Sequence, residues 1–165
     1  MQHHYVDDAL ETFHRGYSCA QSTLAPFAAE LGLTREQALR LASGFGAGLG
    51  RMRGTCGAFS ALSLIAGHLH GNTEGTVEGK EKIYSLIRRL ADDFKAEFGT
   101  LLCRELLHLP EGSEESATPN ARTAAYYASR PCERCIAHCA RQAARLIAEA
   151  AGSGSPSAGA DARLA

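Results

Sequence analysis

Ile83, Leu86, Ile87, Leu90, Phe94 and Phe98 recur every three or four positions. Apolar residues with that period lie along one side of an α-helix and cannot alternate across a strand. The same period extends over most of the chain. Val6, Leu10 and Phe13 mark a first short helix, which Gly16 should end. Ser18 with Gln21 three residues on is a capping-box pair opening a second helix, which carries Leu24, Phe27, Ala28 and Leu31 and closes at Gly32. Thr34 with Gln37 repeats the box and starts a third helix, through about Leu41. Thr55 is expected to cap a fourth, running to about His70, and Gly71 to Gly79 to form a loop before the long fifth. Gly99 breaks the fifth helix, and Thr100 is expected to cap a short turn through Leu107. Pro110 to Pro119 should be a mobile surface loop, followed by a short helical piece around Ala121 to Ala128. Pro131 suits the first turn of a last helix, to about Ala151. No run alternates in polarity. The expected fold is all-α, a single-domain helical bundle of about five to seven helices with a glycine-rich connection. Residues 1–151 form that domain, and 152–165, made mainly of Gly, Ser, Ala and Pro, are expected to be a disordered tail.

Size and charge narrow the function. A chain of 165 residues can bury a real core and needs no disulfides to compensate for a small one. A net charge of −1 argues against nucleic acid or an anionic membrane as the main partner. Ala58 to Leu69 is the longest mainly apolar stretch and is too short to span a bilayer, so no membrane insertion is expected. Met1 to Asp8 has no cationic segment leading into an apolar one, so no export signal is visible. The expected compartment is the reducing cytoplasm, where cysteines more often bind metal or do redox chemistry than staple a fold.

Six cysteines therefore need an explanation: Cys19, Cys56, Cys103, Cys132, Cys135 and Cys139. The first four fall in the predicted first turns of four different helices. Unpaired N–H groups and the positive helix end favour a thiolate there, the form that ligates metal and attacks as a nucleophile. The plain alternative is packing, since free cysteine is often a small buried hydrophobe. For Cys139 packing is the better reading, because the face bearing Cys132, Cys135 and Cys139 continues through Ala143, Leu146 and Ala150. Cys132 and Cys135 form one Cys-x-x-Cys pair, but the second pair that a zinc ribbon requires is missing.

Gly44, Gly46, Gly48, Gly50, Gly54 and Gly57 crowd into fourteen residues. The spacing fits neither the dinucleotide fingerprint nor a P-loop. A tight connection between close-packed helices would account for it. So would close approach of backbone N–H groups to cluster sulfide or thiolate, and this second reading is preferred because the run ends at Cys56. Arg51 and Arg53 could add charge there, although loop arginines are more often solvated. His68 and His70 make a poor metal pair, His138 is expected to be partly exposed, and Asp92, Asp93 and Glu97 read as a solvated helix face.

Three ordered motifs resemble a known family. They are Gly16-Tyr17-Ser18-Cys19-Ala20-Gln21, then Ala42-Ser43-Gly44-Phe45-Gly46 leading into Gly54-Thr55-Cys56-Gly57-Ala58, then Cys103-Arg104-Glu105-Leu106-Leu107. The chain is similar over roughly Ala9 to Ile147 to redox-active proteins named for the cysteine pattern C, GCAxxG, C, C. The resemblance implies a small helical cysteine-based redox protein, a candidate for carrying an iron–sulfur cluster, with no defined activity. Its four cysteines map to Cys19, Cys56, Cys103 and one from the last helix. Cys135 fits by its distance to Leu146 and Ile147, and Cys132 by its place at the helix start. Ala61 stands where the motif has its last glycine, which predicts slightly looser helix packing there.

The leading expectation is an iron–sulfur cluster on Cys19, Cys56, Cys103 and Cys135 or Cys132, with backbone amides around Gly46, Gly48, Gly54 and Gly57 donating to sulfur. The protein would carry electrons or sense redox state, working with a redox partner protein rather than on its own substrate. A homodimer is compatible with this reading but not demanded by it. The alternative is a metal-free dithiol–disulfide oxidoreductase or thiol sensor in which a low-pKa Cys19 or Cys56 attacks. The third expectation is a structural or partner-binding helical domain with the thiols as core filler.

Overall fold

A computed structural model describes residues 3–110, 112–113 and 116–152 of the chain. Eight α-helices occur among the described residues: α1 His3–His14, α2 Cys19–Leu24, α3 Arg35–Ser43, α4 Gly57–His70, α5 Val77–Phe98, α6 Cys103–Leu106, α7 Ala124–Ala128 and α8 Cys132–Gly152. The fold is all-α, as expected, with eight helices among the described residues where about five to seven were expected. The tail expected beyond the bundle lies outside the described residues from 153 onward. Among the described residues no helix is long and apolar enough to cross a membrane.

Both capping boxes form as the sequence dictates. The Ser18 hydroxyl accepts from Gln21 N–H while the Gln21 side chain accepts from Ser18 N–H, and Thr34 and Gln37 do the same at α3. The second helix, however, does not continue to Gly32. Pro26 has no N–H to donate, and the chain tightens into a 3₁₀ turn over Ala25–Phe27 directly after Leu24. The fifth helix begins earlier than the stripe suggests. The Thr76 hydroxyl accepts from Gly79 N–H, so Val77 to Gly79 belong to the first turn of α5 rather than to a loop. Gly99, with φ 82°, ends that helix in the left-handed conformation open to glycine.

Helix α4 occupies the middle of the bundle. It is apolar on nearly every side, and Ala58, Phe59, Ala61, Leu62, Ile65 and Ala66 are all buried. Helices α2, α8 and α5 pack around it, and α1 packs on α8. Phe13, Phe27, Phe94 and Ile136 fill the space between them. Burial of such side chains contributes roughly 1.5–3 kcal/mol each, ample for a core with no disulfide. All six cysteines are free thiols.

Two expected caps are misplaced for one reason. Thr55 does not cap α4; Cys56 holds that position, and Leu102 rather than Thr100 precedes α6. Thr55 instead pairs with Leu102 in an isolated antiparallel bridge. Cys56 N–H donates to Leu101 O at 2.8 Å and Cys103 N–H donates to Gly54 O at 2.7 Å. Pairing between the two segments occupies the backbone of Gly54, Cys56, Leu101 and Cys103 and locks the starts of α4 and α6 side by side.

Candidate functional site

That pairing sets two cysteines next to each other in space, and the packing of α2 and α8 on α4 adds the others. Cys19 is the first residue of α2, Cys56 precedes α4, Cys103 opens α6 and Cys132 opens α8. These are the four helix starts read from the sequence. Cys19, Cys56, Cys103, Cys132 and Cys135 all line one cavity of about 470 Å³. Cys139, one turn deeper on α8, does not reach it and is fully buried in the core. Both contested cysteines of α8 lie on the cavity wall, Cys135 buried and Cys132 half-buried.

The glycine run forms the roof. Residues 47–51 all have positive φ, including Ala47 at 53°, Leu49 at 65° and Arg51 at 66°. Left-handed backbone costs about 1–2 kcal/mol for each non-glycine residue, so the turn survives only because its amides are engaged. Gly50 N–H donates to Gly44 O, Arg53 N–H to Ala47 O and Gly54 N–H to Gly48 O, each reaching six residues back. Gly48 has a further reason to lack a side chain, because a Cβ there would stand 2.8 Å from the Cys103 Cβ. At Gly57 a Cβ would stand 2.5 Å from Phe45 O and 2.8 Å from the Cys19 sulfur. Gly46 packs in the same way on Ser18, and Gly54 lies against Gly48. Of these four glycines, Gly48 and Gly57 bring the backbone up against a cysteine, and Gly46 lines the cavity itself.

Backbone donors do reach sulfur. The amides of Ala47, Ala20 and Ala58 favour the Cys19 thiolate, and Ala47 belongs to the glycine run. Ala58 and Phe59 act likewise on Cys56. Burial outweighs them. Desolvation first, then the neighbouring Cys56, pushes Cys19 up to about 11. Desolvation takes Cys103 to about 11 and Cys132 to about 12. Cys56 is raised by its hydrogen bond with the Cys135 thiol and by burial. The expectation of a low-pKa Cys19 or Cys56 is therefore overturned: helix starts favour thiolates, but in this dry interior loss of hydration is the larger effect.

Arg53 was missed as a site residue. Rather than being solvated it is 5% exposed, with Nη1 3.9 Å from the Cys103 sulfur. The polar loop after α6 also does more than cover surface. Arg104 ties it down through Pro110 O and Ser113, and Ala117 and Pro119 join the cavity wall. No periodicity marks these roles, because each depends on a loop path. His138 is likewise buried instead of partly exposed, with Nδ1 2.7 Å from Glu97 Oε2 between the rings of Phe94 and Phe98. Glu97 therefore has a partner and is not simply solvated. His68 and His70 are exposed, away from the thiols.

Among the described residues no three His, Cys, Asp or Glu side chains stand close enough to hold a single metal ion. The thiols surround a space rather than a point. A tetrahedral tetrathiolate ion needs sulfurs about 3.8 Å apart, whereas a cluster of several atoms needs a wider cage.

A family model described as "Putative redox-active protein (C_GCAxxG_C_C)" matches residues 17–146. No curated protein and no solved structure matches the chain.

Proposed function

The chain belongs to the C_GCAxxG_C_C family of redox-active proteins, and on that footing we propose that its cavity thiols hold an iron–sulfur cluster with an electron-transfer or redox-sensing role. The observation that carries this reading is the convergence of five cysteines from four helices on one cavity. Cys19, Cys56 and Cys103 would supply three ligands, and Cys135 or Cys132 the fourth. Such a group, when bound, exchanges single electrons. The chain's own part is to hold and tune it. Ala47, Ala20 and Ala58 direct amides at the Cys19 sulfur, and hydrogen bonds of this kind raise a reduction potential. The Arg53 cation beside Cys103 offsets thiolate charge in a poorly hydrated site. Because burial holds the Cys103 and Cys132 protons, ligation would release them, and cluster uptake should strengthen as pH rises.

Anaerobic purification with iron and acid-labile sulfide analysis tests the reading. Both elements should be present, with visible absorption, and Cys19→Ser, Cys56→Ser or Cys103→Ser should abolish them. A colourless protein that also fails to take up a cluster on reconstitution refutes it.

One observation favours a second reading. The Cys56 and Cys135 thiols are hydrogen-bonded to each other, and this pair could give up two electrons and two protons to an oxidant as a disulfide. Peptide mapping after mild oxidation of metal-free protein should then recover Cys56–Cys135 ahead of any other pairing. Random pairing sinks it.

A further inference from the structure

The cavity has two chemically different ends. Its floor holds Cys56, Cys103, Cys135 and Arg53, all buried. Its mouth holds Cys132, Arg122 and Arg130, all half-buried.

Arg122 crosses from the loop before α7 to the loop before α2, where Nη2 donates to Tyr17 O at 3.0 Å. Its guanidinium lies 4.8 Å from the Phe13 ring centre and 4.7 Å from that of Tyr126. Nη1 of the same group is buried and has no hydrogen-bond partner. Arg130 brings a second guanidinium to within 4.2 Å of the same Tyr126 ring. Among the described residues neither arginine pairs with a carboxylate. Two cations thus converge on one tyrosine at the entrance to the cavity, against their mutual repulsion. One of them holds an enclosed donor that nothing among the described residues accepts. Buried donors in native proteins are nearly always satisfied, which points to an acceptor beyond the described residues. An anion supplies both the acceptor and the missing charge, and the forked guanidinium matches the paired oxygens of an oxyanion.

We propose that the mouth of the thiol cavity binds a small oxyanion, held by Arg122 Nη1 and the Arg130 guanidinium beside Cys132. The inference rests on the arginines alone and does not depend on what the thiols hold. It places a ligand class at the redox site that the cysteine pattern does not indicate.

Isothermal titration of the full chain, purified anaerobically, with sodium sulfate and separately with phosphate tests the site. Saturable one-to-one binding is expected with at least one of them at low ionic strength. Arg130→Gln, which removes a half-buried side chain stacked on Tyr126, should weaken binding at least tenfold. Arg122→Gln should do the same, and Arg122→Lys provides a charge-preserving companion if the glutamine variant folds poorly. Arg40→Gln, on an exposed surface pair with Glu36, should leave the affinity unchanged. Absence of saturable binding overturns the proposal. So does binding that Arg130→Gln and Arg122→Lys leave intact, or that sodium chloride reproduces at equal ionic strength. Iron and sulfide measured on the same samples keep the two readings apart. Oxyanion binding without iron upholds this site while counting against the cluster, and iron without oxyanion binding does the reverse.

Discussion

Gly57 and Gly67 lie in the same helix, α4, and alanine should act on them with opposite sign. At Gly57 the added carbon would meet Phe45 O at 2.5 Å, the Cys19 sulfur at 2.8 Å and Ala20 Cβ at 3.3 Å. The first of these is a backbone oxygen that already accepts from Leu49 N–H, so it cannot withdraw without disturbing the left-handed turn. Overpacking of this kind costs about 1–3 kcal/mol, and the helix-propensity gain of at most about 1 kcal/mol is smaller at a first-turn position. The net expectation for Gly57→Ala is a loss of about 1–2 kcal/mol. In a domain of this size that corresponds to a fall in Tm of roughly 2–8 °C. At Gly67 nothing lies within 4 Å of the added carbon, and only the propensity term acts. Gly67→Ala should therefore gain up to about 1 kcal/mol. Urea unfolding under reducing conditions reads both, with the slope m unchanged in each variant so that the midpoints are comparable. A Gly57→Ala protein as stable as the parent would refute the claim that close approach of backbone and thiol, rather than turn flexibility, explains the glycine before Ala58.

Four further outcomes follow from the same geometry. The ordinary thiol value is 9.0, and folding raises Cys19 and Cys103 to about 11, so their contribution is fully present below about pH 9 and is lost as pH rises toward 11; urea midpoints of reduced, metal-free protein should fall over that window. Leu49→Gly relieves a φ of 65° at an exposed side chain and should stabilise by about 0.5–1 kcal/mol, measured by the same unfolding assay. Glu97→Ala strips from His138 the one hydrogen-bond partner it has among the described residues, its Nε2 being already buried without one, and should cost about 1–3 kcal/mol, whereas His138→Leu should change thermal stability by less than about 1 kcal/mol. Cys139→Ala should lower stability by about 1 kcal/mol while leaving iron content equal to the parent's, as befits a core thiol.

The parts of this molecule governed by local physics could be read from the chain. Ser18–Gln21 and Thr34–Gln37 specify caps within four residues, and both form. The four helix starts bearing cysteines were likewise legible, because caps and breakers are short-range signals. What escaped depends on non-local pairing. Thr55 resembles a helix cap, but the segment across from it, around Leu102, takes its place in a backbone bridge. Arg53 resembles a solvated loop arginine until that bridge carries it inward to Cys103. The thiol pKa values failed in sign for a related reason. Helix position is written in sequence, whereas desolvation belongs to the whole assembly.

The cavity also bears on the order in which the molecule is built. Cys19 comes from the second helix of the chain and Cys135 from the last, so any group held between them closes a loop of most of the domain. In chain-entropy terms a link over about 100 residues restricts the unfolded ensemble by about 4–5 kcal/mol, comparable to a long-range disulfide. A growing polypeptide cannot complete this enclosure until α8 has docked on α4. A group bound across the cavity would therefore report whether the α8 end of the bundle has met the α2 end.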